Sequence, residues 1–453
     1  MISSRADSPD SVAGTVVHRT ERNHLIDAAR TSSVVMVVLF HSVLFGVQIV
    51  DGMPVVTAWE PGPSWWPFSW LVMIVPVFFV AAGYADATAV DGMRSAGTDL
   101  AHYLARRGSR IVAPLVLFST LVAALSTALA WQPGAPPALL YPGTSGLSWL
   151  ELSTYVSRDY CYFLWFVAVY LLLLFLAPLT VTAQDRFGVL VLAVLGGLAA
   201  AFDQLSFALN EPQARSPNVF LVWAACHQVG IAYQRGWFRG GPRWLPIITL
   251  VGAGSGIAAL IAVLDYPPAA VAFSDRGVAN NLPPTVALAL LAVAQASLLG
   301  ILEQAGVMRT LSGRLARALR TANALTVNVY LWQSTGILIT LQLLVWLGLA
   351  WPQTAMVALQ PMVITLASVL VLAVIIPPIS WLEGRLTPRL GAQQSLRAGV
   401  VAFLLLTAGT TIIWVFGAVL HPDRPWSSAG VLMIWTGAWL MIWAVDEPRA
   451  GSR

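Results

Sequence analysis

Apolar runs of about twenty residues recur along the whole chain, separated by short polar or Pro/Gly-rich joins. That is the length an α-helix needs to cross a hydrocarbon core of about 30 Å. The pattern predicts twelve spans, at approximately 31–50, 68–90, 110–131, 161–181, 188–207 and 217–234, then 244–264, 284–303, 325–349, 357–380, 398–418 and 427–446. The run at 217–234 is the most interrupted, by His227, Gln228 and Gln234. Neither a tandem repeat nor an appended soluble domain stands out. The expected fold is an all-α polytopic transmembrane bundle.

Composition agrees with the pattern. The chain has 453 residues, 57% hydrophobic and 10% charged, with a mean hydropathy of +0.74. Soluble domains carry about 25% charged residues, so a water-soluble globule is excluded. The two cysteines, Cys161 and Cys226, lie in apolar surroundings and suggest neither a disulfide framework nor a metal site. Residues 1–23 are polar without an apolar core, which reads as a cytoplasmic segment and not a cleavable signal.

Charge then orients the spans. All 25 basic residues are arginine. With the N-terminus inside, only Arg158, Arg215, Arg276 and Arg424 fall on outer joins, and the other arginines are internal. This bias predicts a multi-pass protein of the cytoplasmic membrane with both termini inside. The net charge of +4 therefore reports topology and gives no reason to expect nucleic acid. The outer stretches 51–67 and 132–159 are rich in Pro, Gly and Trp, which suits interfacial anchoring or the lining of an acceptor site.

Ionisable residues inside spans are costly and point to function. The stretch RTSSVVMVVLFH places Arg30 and His41 eleven residues apart, about 16 Å and three turns along one helix face. Arg30 is expected at the cytoplasmic mouth and His41 near the bilayer centre. Asp27 lies one turn before Arg30, where it can pair with it. A second pair, Arg107 and Arg110 in RGSR, sits where the third span is predicted to begin. Guanidinium forks suit phosphate oxygens, although a positive-inside cluster explains the pair equally well. His227 is a further buried histidine, open to a site role or to a helix–helix hydrogen bond. Glu303, at the end of the eighth span, suits the membrane interface.

These residues carry a resemblance. With VPVFFVAAGYAD (75–86), RGSRIVAP (107–114), FLWFVAVYLLLLFLAP (163–178) and VNVYLWQ (327–333), the Arg30/His41 pair resembles the acyltransferase-3 family of bacterial multi-pass membrane O-acyltransferases. The resemblance covers residues 24–382 as a membrane domain of ten spans. It leaves 1–23 as a polar N-terminal segment and 383–453 as an additional helix pair with a short tail. Two positions depart from similar proteins: Gln333 where a histidine is common, and Ala82 where a serine is common.

The resemblance implies transfer of an acyl group, acetyl above all, from cytoplasmic acyl-coenzyme A to a hydroxyl of a carbohydrate or glycosylated acceptor. His41 would be the general base, with Arg30 and Asp27 in the catalytic set. Arg107, Arg110 and Arg30 would hold the donor's phosphates, and Trp165, His227, Tyr330 and Gln333 would be accessory residues. Acyl-coenzyme A would be a co-substrate, with no permanently bound cofactor and no metal. A proton-coupled transporter and a non-catalytic acyl-coenzyme A binder are the alternatives. The acyl group, the acceptor and the oligomeric state are not fixed by sequence.

Overall fold

A computed structural model of the chain describes residues 23–50, 52–58, 62–136, 146–271 and 279–446. Most of the predicted N-terminal segment, the end of the tail and Arg276 lie outside the described residues.

Helix α1 (His24–Leu44) is followed by a hairpin of β1 (Phe45–Val50) and β2 (Met53–Ala58). Then come α2 (Trp66–Val72), α3 (Val75–Ser95), α4 (Leu100–Ala130) and α5 (Trp149–Cys161). The middle of the chain forms α6 (Leu164–Phe187), α7 (Val189–Leu209), α8 (Asn218–Gln234), α9 (Trp244–Val263) and α10 (Val286–Gln304). It ends with α11 (Gly313–Ala350), α12 (Pro352–Ala358), α13 (Pro361–Leu386), α14 (Leu396–Phe416) and α15 (Pro425–Val445).

Among the described residues, eleven helices are long and apolar enough to cross a membrane. Helix α8 has 17 residues, about 26 Å of rise. Its first residue, Asn218, donates to Asp203 of α7 (2.9 Å). Beyond its other end, Arg235 donates to Asp91 of α3 (2.6 Å) and Asp185 of α6 (2.7 Å). It therefore runs between the two faces of the bundle like its neighbours, and every predicted span has its helix. Large apolar side chains point outward from the bundle, among them Leu190, Val251, Leu370 and Val374. That inversion suits a lipid solvent.

Several boundaries move, and two of them bear on the site. The first span, expected at 31–50, is a helix over His24–Leu44. It begins early because Asn23 caps it, its side-chain oxygen accepting from the backbone of Leu25 (3.1 Å) and Ile26 (3.2 Å). It stops early because FGVQIV is rich in β-branched residues and the chain turns back at Gly52 into a second strand. Gly52 has φ +77°, and the register pairs Val50 with Met53. His41 consequently lies in the last turn of α1. Helix α4 likewise starts at Leu100, capped by Asp99 accepting from His102 N (2.9 Å). Arg107 and Arg110 thus stand about two and three turns inside it.

Glycines set the closest helix contact. A Cβ on Gly83 of α3 would overlap the backbone oxygen of His227, and one on Gly230 of α8 would overlap that of Val80. Small residues let membrane helices approach backbone to backbone. Gly83→Ala should therefore destabilise the protein by about 1–3 kcal/mol in detergent-solubilised thermal unfolding. Gly92→Ala, on the same helix with open space around it, should be neutral or slightly stabilising.

The C-terminal pair belongs to the same core. Helices α14 and α15 zip together at Gly409, Gly430 and Gly437. Gly108 of α4 lies against Phe403 and Met441 of this pair. On the face opposite Arg235, the α14–α15 join holds α4 and α5. Ala418 N donates to Ser157 (2.5 Å), Leu420 N to Thr127 (2.9 Å), and Arg424 to Thr154 (3.1 Å).

Candidate active site

His41 is half-buried where α1 meets α11. Its Nδ1 lies 3.1 Å from Oε1 of Gln333, a residue with no exposed surface. An amide oxygen only accepts, so Nδ1 carries the hydrogen and donates. The lone pair is then on Nε2, which has no partner among the described residues. Phe163, at the α5–α6 join, packs its ring 4.1 Å from the imidazole. Next to His41 on α1, Ser42 donates to Thr365 of α13 (3.0 Å). The imidazole is held on two sides and offers a proton-accepting nitrogen on the third.

A file of aromatic rings connects this end of α1 with its middle. Tyr330 of α11 donates to the carbonyl of Phe163 (2.9 Å) and stands 4.6 Å from the ring of Phe166. Phe166 is 4.8 Å from Phe78 of α3, and Arg30 lies over Phe78 at 5.5 Å. Trp165 stacks on Trp223 (5.5 Å), which stacks in turn on Phe79 (5.2 Å). These rings make a rigid apolar wall between Arg30 and His41.

The arginines divide. Arg110 is exposed, whereas Arg107 is largely buried and forms an ion pair with Asp86 of α3, which has no exposed surface. His227 of α8 joins the same carboxylate, its Nε2 at 3.1 Å from Oδ2 of Asp86. Three helices therefore meet at one buried charge cluster, with the Gly83/Gly230 contact directly beside it. Arg30 and Arg110 both lie within electrostatic range of Arg107. Nε of Arg30 is buried with no hydrogen-bond partner among the described residues. Asp27 accepts from Asn323 of α11 (2.8 Å), tying the start of α1 to α11.

The match to known proteins is decisive at this point. The acyltransferase-3 model, described as an acyltransferase domain, matches residues 23–382, well over half of the chain. The chain belongs to the acyltransferase-3 family. It is a multi-pass membrane acyltransferase, and α14 and α15 lie beyond the matched region. Neither a curated protein nor a solved structure matches it.

The residues that sequence reasoning singled out take different places in this acyltransferase. His41 and Gln333 meet, and Arg30 and Arg110 lie within electrostatic range of Arg107. Tyr330 is engaged with the backbone of Phe163. Glu303 accepts from Tyr233 and pairs with Arg239 at 3.1 Å. Asp86 was not singled out, although an acid inside VPVFFVAAGYAD is a signal of its own. Phe163 and Asn323 carry no such mark in sequence, because their roles arise only from helix neighbours. Among the described residues, no group of His, Cys, Asp or Glu side chains is arranged to hold a metal ion.

Proposed function

We propose that this acyltransferase moves an acyl group, acetyl as the working case, from cytoplasmic acyl-coenzyme A to a hydroxyl of a carbohydrate or glycosylated acceptor. His41 is the general base. The observation that carries the reading is the imidazole of His41, fixed through Nδ1 by Gln333 with Nε2 left open. The open nitrogen stands about 16 Å of helix rise beyond Arg30. The arginine side of the bundle takes the donor's phosphates through Arg30, Arg110 and the Arg107 cluster, and the pantetheine arm extends along the aromatic wall. The acceptor arrives at the far end of α1, where the helix gives way to the β1–β2 hairpin.

In this reading the acceptor hydroxyl gives its proton to Nε2 as its oxygen attacks the thioester carbonyl. The carbon–sulfur bond then breaks, and the departing thiolate takes the proton back. Proton transfer by a positioned base supplies part of the barrier lowering. Alignment of the two reactants across the membrane interior supplies more.

The arrangement predicts a sided reaction. With the full chain in sealed vesicles whose arginine face is outward, added acetyl-coenzyme A should release free thiol outside. Labelled acyl product should accumulate inside, on a lumenal glycan or glycoside. Thiol release requiring donor on the opposite side, or product formed on the donor's own side, would overturn the transmembrane reading.

A further inference from the structure

Helix α5, with 13 residues, is too short to cross the membrane and lies at the face opposite Arg235. A capping box fixes its start: the Ser148 hydroxyl accepts from Glu151 N (3.3 Å), and the Glu151 carboxylate accepts from Ser148 N (2.8 Å). Leu152, Ser153, Ser157 and Cys161 form its buried side, and Ser157 is held by Ala418. Tyr155, Arg158, Asp159 and Tyr162 are exposed. Spacings of three, four and seven residues bring these four onto one helix face. Tyr155 and Tyr162 are each nearly half exposed and stand about 10 Å apart along the axis. The Tyr162 end of this face adjoins the proposed base. Its ring meets that of Phe163 edge-on at 5.2 Å, and the Phe163 ring lies 4.1 Å from the imidazole of His41.

Two tyrosine rings with a carboxylate and a guanidinium between them suit a sugar. A pyranose has C–H faces that lie on aromatic rings, and a rim of hydroxyls that donate to a carboxylate and accept from a guanidinium. Tyrosine supplies such area at little conformational cost, because only two torsions are fixed. Arg158 and Asp159 carry opposite charges, so the stretch between the rings is neutral overall. That favours an uncharged glycan over an anionic polymer or an acidic lipid headgroup. A helix that only anchored at the interface would turn its apolar side to the acyl chains, whereas the apolar side of α5 packs on the protein.

We propose that this face of α5 binds the acceptor, a neutral glycan chain, with Tyr155 and Tyr162 against its sugar faces and Arg158 and Asp159 bonded to its hydroxyls. The inference rests on acyl transfer with His41 as general base, and adds where the acceptor lies. A chain lying from Tyr155 to Tyr162 brings its leading ring to the Phe163 edge of the His41 site. One hydroxyl of that ring becomes the nucleophile. A single sugar covers one tyrosine and a longer chain covers both, so KM should fall with acceptor length.

The test uses the purified full chain in lipid nanodiscs with labelled acetyl-coenzyme A. The acceptors are the neutral and the anionic glycan fractions released from the surface of cells that make the protein, and label on the glycan is the readout. Tyr155→Ala should raise the apparent KM for the neutral fraction about tenfold, as loss of an aromatic anchor does, with KM for acetyl-coenzyme A unchanged. Tyr155→Phe keeps the ring and should return the glycan KM to within about twofold of the parent. An unchanged glycan KM in Tyr155→Ala overturns the α5 surface and leaves the acyl-transfer reading standing. A lower kcat or unfolding temperature without a change in glycan KM makes Tyr155 a packing residue and overturns it as well. Label on the anionic fraction alone refutes the neutral-glycan assignment. A parent enzyme that labels neither fraction sinks the carbohydrate-acceptor reading and this inference together.

Discussion

Replacing His41 by alanine is expected to lower thiol release from acetyl-coenzyme A by about 10²–10⁴-fold, the range a positioned general base contributes. The protein should still insert and fold. His41 is half-buried in the last turn of α1, and the change breaks its hydrogen bond to Gln333 and leaves that buried amide oxygen unpaired, at a stability cost of about 1–3 kcal/mol. The helix keeps its cap at Asn23, its Asp27–Asn323 bond and its packing on α3, α11 and α13. Rate and stability should therefore separate, with thermal unfolding lowered by a few degrees while turnover collapses. Full activity in a well-folded His41→Ala protein would remove the base from the mechanism.

Asp86→Ala should have the opposite profile, with its primary effect on folding. Asp86 has no exposed surface and neutralises Arg107 while accepting from His227. Removing one member of a buried pair strands the other charge, at a cost of about 3–5 kcal/mol. The double variant Asp86→Leu/Arg107→Met replaces both charges with apolar bulk and should recover most of that loss, as buried pairs exchanged for well-packed apolar groups usually do. The double variant then isolates the part Arg107 plays in donor binding. A raised KM for acetyl-coenzyme A in a protein of restored stability assigns phosphate contact to Arg107, and an unchanged KM confines that residue to holding helices together. Unfolding temperatures alone decide the first half of the prediction: a single Asp86→Ala variant as stable as the parent would mean that the cluster is not what joins α3, α4 and α8.

Sequence showed the helical class and where each span lies, because a twenty-residue apolar run has few physical alternatives in a bilayer. It misplaced the ends of α1 and α4, where single side chains decide. Asn23 and Asp99 start their helices seven and ten residues ahead of the apolar run, since a cap acts on backbone groups and leaves hydropathy unchanged. The Arg30/His41 register was legible because both residues lie on one helix. The His41–Gln333 and Asp86–Arg107–His227 contacts were not, since each joins helices far apart in the chain. Asp86 itself could have been flagged from its setting in an apolar span. Its partners could not, because three arginines of that region offer the same charge and only packing chooses Arg107.

The clasp between the α14–α15 join and α4 and α5 has a consequence for biogenesis. Helices α4 and α5 are made long before Ala418, Leu420, Phe403 and Met441 exist, yet those residues complete their surroundings. The ring of Phe163 that confines His41 follows directly on α5. The chain therefore emerges from the ribosome with the helix that carries His41 made early and the wall against it settled last. The packing around α4 and α5 is complete only when the final helix enters the membrane.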